Sequence, residues 1–431
     1  MREVVVTGMG AVTPFGFGVD VLWKALLSGE NAIRYLDSRI YQGDIVKIGA
    51  PLPELDFRHS FIHEDYFEMV KNEDNNLRLF FLAVLEAIGK SGIDPRNLND
   101  TGRIGVFIAD RYNSPIQYLD DFAPLLLKAK DDKNQINEKV FFSLLGNYNQ
   151  LKHYRNYNTS ESINHFVSRF YNIEGPQLSI GTACASSNTA IGEAVHKIIN
   201  NKLDMAIVGG AYNLDLSAMI GFSRIEALTT NPDPDTACRP FDLNRNGFVM
   251  GAGCGILVLE SLESAKNRKC DILAKVLGFG SYTDAYRSTD PDPTATAATM
   301  SIQSALKMAK VDISEIDYIN AHGTSTKMND YTETIAIKNV FGEYAKKIPV
   351  SSTKSMIGHS IMAAAAIEAI ICIKSIQDNV IHPTRNYKQM DLNMDLDYVP
   401  NELREAKVRK ALSNSFGFGG INTSVVFSSV S

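Results

Sequence analysis

The chain lacks the marks of several large protein classes. Its 431 residues hold one tryptophan and five cysteines, Cys184, Cys238, Cys254, Cys270 and Cys372. That odd number, without CxxC spacing, argues against a disulfide framework and against a zinc knuckle, and a reducing compartment suits it best. Basic excess is missing too: 43 Lys and Arg against 49 Asp and Glu leave a net charge of −6, the wrong sign for a general nucleic-acid binder that must track phosphates. No apolar run approaches a membrane span, and the N-terminal residues carry no apolar segment with a small-residue cleavage site, so a cytoplasmic location is expected. What is present is 45% hydrophobic and 21% charged, enough for two globular domains or one large fused unit.

One stretch organises the rest. From Leu178 a short apolar run leads into small residues, Gly181-Thr182-Ala183-Cys184-Ala185-Ser186-Ser187, after which Ile191, Ala194, Val195, Ile198 and Ile199 recur at helical spacing. Cys184 therefore stands where a strand becomes a helix. Unpaired N–H groups and aligned peptide dipoles at a helix start favour a thiolate there. A cysteine is more often an inert, buried small hydrophobe, so its meaning depends on what else converges on it.

On either side, apolar runs alternate with helical patterns. Val4 to Thr7 reads as a strand ending in Gly8-Met9-Gly10, but Thr13 stands where a dinucleotide loop needs its third glycine. Helical stripes are expected over Val19 to Leu27, 77–91, Met300 to Ala309 and Ile361 to Ser375. Strands are expected at Ile104 to Ile108, before Cys184, and at Met205 to Val208, Ile256 to Leu259, Ile272 to Val276, Ile316 to Asn320, Ile348 to Ser351, Ala411 to Asn414 and Thr423 to Phe427. Asp110 to about Asn164 is polar and charged and reads as solvated loop and surface helix. The alternation indicates a layered α/β fold with mainly parallel central strands. No sequence repeat is visible between the halves, so any duplication must be structural.

Three strand ends in the second half carry candidate chemistry. His322 lies in Asn320-Ala321-His322-Gly323-Thr324-Ser325-Thr326. Lys354 and His359 lie in Ser351-Ser352-Thr353-Lys354-Ser355-Met356-Ile357-Gly358-His359, ahead of the alanine-rich run 363–366. A histidine at a helix start is kept neutral by the dipole, although simple capping would also place it there. Asn414-Ser415-Phe416-Gly417-Phe418-Gly419-Gly420 reads as a flexible glycine loop whose phenylalanines line an apolar tunnel or merely pack.

Taken together, Cys184, His322, Lys354, His359 and the NSFGFGG segment resemble the chain-elongating β-ketoacyl-acyl-carrier-protein synthases of type II fatty-acid and polyketide pathways. The likeness also takes in Val4 to Gly16 and Arg239-Pro240-Phe241-Asp242 through Val249, and so nearly the whole chain. It implies the thiolase fold: two similar five-stranded α/β halves, 1–265 with the cysteine and 266–431 with the histidines, layered α-β-α-β-α. A Cys-His-His set differs from the Cys-His-Asn set of initiating synthases. A thiolase would want a second cysteine in a Cys-x-Gly, whereas Cys372 is followed by Ile373-Lys374, and chain-length-factor subunits lack the nucleophile.

By the same resemblance, Cys184 accepts an acyl chain, and the backbone N–H groups of Cys184 and Phe418 form the oxyanion hole. His322 and His359 bind the malonyl thioester oxygen, and Lys354, matched by Glu333, orders them. Thr324 and Thr326 hold the phosphopantetheine arm, while Phe416 and Phe418 gate the acyl pocket. No metal or organic cofactor of its own is implied. Expected partners are an acyl carrier protein and a second subunit, as a homodimer or as a heterodimer with a chain-length factor.

Several positions depart from the family pattern. Ile108-Ala109-Asp110-Arg111-Tyr112-Asn113 replaces a glycine-rich run near the pocket floor, and Thr326 is followed by Lys327 rather than proline. Met362 and Ala365 stand for smaller helix residues and Ala252 for an acidic one. Asn72-Glu73-Asp74-Asn75-Asn76, with Lys71 and Arg78, stands where a basic docking patch is common. These departures favour a specialised polyketide or polyene pathway, with housekeeping fatty-acid elongation or a non-catalytic specificity subunit as the alternatives.

Overall fold

Ten strands carry the architecture of the computed structural model, which describes residues 2–37, 47–55, 75–98, 100–110, 124–133, 135–146 and 163–430. They are β1 (Val4–Thr13), β2 (Ile104–Ala109), β3 (Gln177–Leu178), β4 (Met205–Tyr212), β5 (Gly253–Ser261), β6 (Ala274–Thr283), β7 (Tyr318–Asn320), β8 (Val350–Ser351), β9 (Lys410–Gly417) and β10 (Ile421–Ser428). The order across the sheet is β8-β7-β9-β10-β6-β1-β5-β4-β2-β3.

Renumbering β6 to β10 from one makes each half read 3-2-4-5-1. The pairing senses repeat as well. β2 is parallel to β3 and β4, as β7 is to β8 and β9, while the other neighbours within each half are antiparallel. The duplication that the sequence hides is thus plain in the topology. The halves join through three antiparallel pairs between β1 and β6, from Val4↔Val276 to Val6↔Ala274.

Among the described residues the helices are α1 (Val19–Leu27), α2 (Asn75–Ser91), α3 (Glu138–Gly146), α4 (Ile163–Tyr171), α5 (Ser186–Ile199), α6 (Leu216–Arg224), α7 (Leu262–Arg268), α8 (Thr296–Ala309), α9 (Lys327–Phe341), α10 (Lys354–Ile357) and α11 (Ala364–Asp378). Helices α5 and α11 pack on each other and on strands of both halves, with α2 outside the first half and α8 and α9 outside the second. One apolar cluster surrounds the central pair, a second lies under α2 and α4, and a third under α8 and α9. This is the α-β-α-β-α layering of the thiolase fold. No helix among the described residues is long and apolar enough to cross a membrane.

Three expectations need correction. The central strands are not mainly parallel: the five consecutive pairings from β9 through β10, β6, β1 and β5 to β4 are antiparallel, and only the outer pairings made by β2 and β7 are parallel. Gly8-Met9-Gly10 does not end β1; the strand runs on to Thr13. The glycines are there because α2 lies directly on them: a Cβ at Gly8 would sit 2.0 Å from Ala87 O, and one at Gly10 2.0 Å from Ala83 O. Nor is the end of the 110–164 region solvated. Helix α3 buries no residue, as a surface helix should, but Asn164 in α4 is buried. Its amide accepts from Ile108 N–H and donates to Ile108 O, both at 2.7 Å. Arg111, Tyr112, Asn113, Lys71 and 72–74 lie outside the described residues.

Candidate active site

Each half builds the same kind of joint between its third strand and the helix that follows. In the first, a 3₁₀ turn, Ala183–Ala185, leads into α5 and holds Cys184. Ala183 has φ +49°, which turns the chain sharply. Neighbouring hydroxyls hold the turn: Thr182 N–H donates to Ser186 Oγ at 2.9 Å, Ser186 Oγ donates to Ala183 O at 2.6 Å, and Ser415 Oγ donates to Cys184 O at 2.9 Å. In the second half the chain passes through α10 and His359 to a 3₁₀ turn, Ile361–Ala363, and then α11. The alanine-rich helix therefore begins later than the sequence suggested, and His359 precedes it rather than capping it.

The two joints meet. His359 Nε2 lies 3.0 Å from Cys184 Sγ. Ile361 N–H approaches His359 Nδ1 at 3.2 Å, and because a backbone N–H can only donate, Nδ1 is unprotonated and the neutral ring carries its proton on Nε2. His359 thus donates toward the sulfur. His322, at the end of β7, stands with its ring centroid 5.2 Å from that of His359 and 6.0 Å from that of Phe416. The sulfur and one ring nitrogen of each histidine lie within 4.8 Å of one another.

Burial sets the protonation states. It pushes the Cys184 thiol up to about 11, against the pull of the Lys354 ammonium and of the backbone N–H groups of Phe418 and Cys184. The thiolate expected from the helix start alone is therefore not the resting state: removal from water outweighs the dipole. Burial, reinforced by Lys354, holds both imidazoles well below their ordinary value, so both are neutral.

Glu333 is not the partner of Lys354. The Lys354 ammonium pairs with Glu368, on α11, and both side chains are 2% exposed. Glu333, on α9, instead accepts from the N–H groups of His322 at 2.9 Å and Gly323 at 2.8 Å, and from Asn414 Nδ2 at 3.2 Å. Burial raises both carboxyls to about 7. The match drawn from the family resemblance named the wrong glutamate. The available signal was that Glu368 is the lone charge in the otherwise apolar stretch from Ile361 to Ile373.

The NSFGFGG segment is a hairpin rather than a free loop: Asn414 to Gly417 close β9, and Ile421 opens β10. A Cβ on Gly417 would come within 3.2 Å of Cys184 N, so glycine lets the hairpin lie against the nucleophile turn. Gly419 N–H donates to Ser288 O at 2.7 Å and Asp284 N–H to Gly420 O at 2.8 Å, so the 284–288 segment straps the tip. The Phe418 ring lies 5.8 Å from that of Phe222 on α6. Cys184, His322, His359, Phe416, Phe418, Thr324 and Thr326 all line one cavity of about 790 Å³, and the two threonine hydroxyls are 2.9 Å apart. Lys354, Glu333 and Glu368 stand behind its wall.

Comparison with known proteins agrees with this geometry. Residues 1–265 match the N-terminal domain of β-ketoacyl synthase, and 273–388 its C-terminal domain. The chain is 36% identical over 433 residues to 3-oxoacyl-[acyl-carrier-protein] synthase 2 of Coxiella burnetii, covering 100% of this chain and 99% of the relative. Among solved structures it resembles a type II polyketide ketosynthase in complex with its acyl-carrier protein, with a TM-score of 0.86, 32% identity and full coverage of both chains. It also resembles the ishigamide ketosynthase/chain length factor, with a TM-score of 0.84, 30% identity and full coverage of both. With a cysteine, two neutral histidines and a glycine hairpin gathered at one cavity, the chain belongs to the β-ketoacyl synthase family, and its activity is that of a β-ketoacyl-acyl-carrier-protein synthase.

Proposed function

We propose that the cavity performs a decarboxylative Claisen condensation on carrier-bound acyl chains, with the roles divided as follows. Cys184 attacks the acyl thioester of a carrier protein; its C–S bond forms, the carrier C–S bond breaks, and the carrier thiol leaves with the proton. The oxyanion of that step faces the N–H groups of Cys184 and Phe418. Malonyl-carrier protein then enters and loses carbon dioxide, and its enolate oxygen takes hydrogen bonds from the Nε2–H of His359 and from His322. The enolate carbon bonds to the acyl carbon, the Cys184 thioester breaks, and the sulfur recovers a proton.

The observation that carries this is the 3.0 Å contact between Sγ and a His359 ring whose proton is fixed on Nε2. A neutral donor suits an enolate oxygen and cannot serve as the cysteine's base. As written, the reaction takes no metal or organic cofactor of the enzyme's own; the phosphopantetheine of the carrier passes Thr324 and Thr326. Radiolabelled acyl-carrier protein should transfer label to Cys184. Retention of label by Cys184→Ala overturns the assignment, and malonyl-carrier decarboxylation by the isolated chain separates it from a non-catalytic specificity subunit.

We read residues 1–265 and 266–431 as the two repeats, in keeping with the duplicated strand order, and the compartment as cytoplasmic, in keeping with five free thiols. A second subunit is supported by β3, an edge strand with both residues exposed and Leu178 43% exposed, since open edges invite pairing. The partner is a second copy or a chain-length factor like that in the ishigamide complex.

The pathway is a specialised polyketide or polyene one. Asp110, in the run that replaces the family's glycine-rich segment near the pocket floor, accepts from Ile163 N–H at 2.8 Å, and burial raises its carboxyl to about 6. It does not line the cavity, and the replacement of that segment is what supports a specialised acyl chain. Housekeeping elongation is favoured instead by the 36% identity to a 3-oxoacyl-[acyl-carrier-protein] synthase 2. Reconstitution with saturated and with polyketone acyl-carrier substrates decides between them.

A further inference from the structure

His382 takes no part in the chemistry above and lines none of the cavity, yet it is fully buried and gathers more polar groups than any role in packing requires. Its Nδ1 lies 2.9 Å from Pro383 O. A carbonyl only accepts, so the proton sits on Nδ1 and Nε2 presents a bare lone pair. Around that lone pair stand Thr353 Oγ1 at 3.1 Å, Ser351 Oγ at 3.2 Å, Tyr318 OH at 3.3 Å and Asn320 Nδ2 at 3.4 Å.

These groups also bond one another. Tyr318 OH and Ser351 Oγ are 2.8 Å apart, and Asn320 Nδ2 donates to Tyr318 OH at 2.9 Å. The cluster sits at the ends of two parallel strands. Asn320 closes β7, with His322 two residues on, while Ser351 closes β8 and Thr353 adjoins Lys354. The segment after His382 braces the same loops: Ser352 N–H donates to Thr384 Oγ1 and Arg385 N–H to Ser355 Oγ, both at 3.0 Å, and Ser352 Oγ donates to Gly323 O at 2.6 Å.

We propose that His382 is a positioning residue for the condensation half of the reaction: its Nε2 is the shared acceptor that locks the strand ends carrying His322 and Lys354. Burial keeps the ring neutral, with its value lowered to about 4, so the lone pair stays available across the working pH range. The turn that carries Cys184 and the tip of the Phe418 hairpin are held by different bonds: Thr182 N–H to Ser186 Oγ, Ser415 Oγ to Cys184 O, and Gly419 N–H to Ser288 O. Loss of the acceptor should therefore disturb decarboxylation and spare acylation, a split that a general loss of stability does not produce. His382 can act in this way only if the chain is the condensing enzyme proposed above.

The test measures both half-reactions, acylation of Cys184 from acyl-carrier protein and decarboxylation of malonyl-carrier protein, in His382→Leu and His382→Gln. Leucine fills the space without an acceptor, whereas glutamine brings an amide oxygen near the place of Nε2. The leucine variant should decarboxylate about tenfold more slowly or worse while acylating within about twofold of wild type, and glutamine should restore most of the loss. Parallel decline of the two half-reactions, or decarboxylation unchanged in the leucine variant, overturns the proposal. Should the leucine variant fail to fold, Tyr318→Phe, which removes the hydroxyl joining Ser351 to Asn320, must show the same selective loss, and unchanged decarboxylation there overturns it equally. A wild-type chain inactive in both half-reactions sinks the functional assignment itself, a result distinct from either.

Discussion

The two strand-to-helix joints at the centre of the molecule share a backbone and differ in chemistry. The first residue of each 3₁₀ turn has positive φ, +49° at Ala183 and +43° at Ile361. The next residue is Cys184 in one half and Met362 in the other, and the joints are stitched together by Ser187 Oγ donating to Met362 O at 2.8 Å. Such strain next to a nucleophile is readily taken for a catalytic device. Its recurrence at a joint with no nucleophile teaches otherwise: the left-handed residue belongs to the chain reversal that this fold requires, and the first half has used an existing turn to present a thiol.

The comparison breaks hardest at its reactive member. Cys184→Ala should abolish acyl transfer, a loss of about a thousandfold or more, whereas Met362→Ala, at the matching position, should still acylate; labelling from acyl-carrier protein reads both. Next comes the pair behind the joints. Lys354→Met strands Glu368 in a buried site, and it should lower stability by about 3 kcal/mol and slow condensation, read by denaturant unfolding and by decarboxylation rate. Without the ammonium that pulls it down, the Glu368 carboxyl should rise further, so the stability cost should be greatest at high pH and shrink on acidification as the carboxyl neutralises.

The strained residues themselves give a smaller contrast of opposite sign. Ala183→Gly relieves strain at no loss of packing and should stabilise by about 1 kcal/mol. Ile361→Gly gains similar relief but empties a buried site, and should destabilise by about 2 kcal/mol, so thermal melts should move in opposite directions.

The smallest effect is in pH. Both active-site imidazoles are depressed in the fold and recover their ordinary value of about 6.5 on unfolding. As the pH falls through that value, the unfolded chain binds protons the folded one refuses, and stability drops. Glu333 and Glu368, raised to about 7, act in the opposite sense over part of the same range. The test is therefore differential: His322→Asn or His359→Asn should lose less stability than wild type between about pH 7 and pH 5.

The sequence carried the alternation of strands and helices, and the cysteine, histidines and hairpin, because these depend on local pattern and on residues with few other uses. It misled where distant elements decide. Gly8 and Gly10 look like a turn, and only the presence of α2 on that face explains why a strand needs them. Glu333 and Glu368 are both plausible mates for Lys354, and the choice depends on how α9 and α11 are turned toward it. The duplication was legible only through the family resemblance, because strand order, unlike residue identity, leaves no trace in a linear string. Asn164 was hidden for the same reason: its bonds to Ile108 span 56 positions.

The narrow seam between the halves, three residue pairs of β1 and β6, has a consequence for how the polypeptide can be divided. So little ladder cannot hold two bodies together, and the cohesion comes from α5 and α11, each walled in by both repeats. A fragment ending at the midpoint would leave the inner face of α5 bare to water. The chain is built twice but matures once, and neither copy should survive expression without the other.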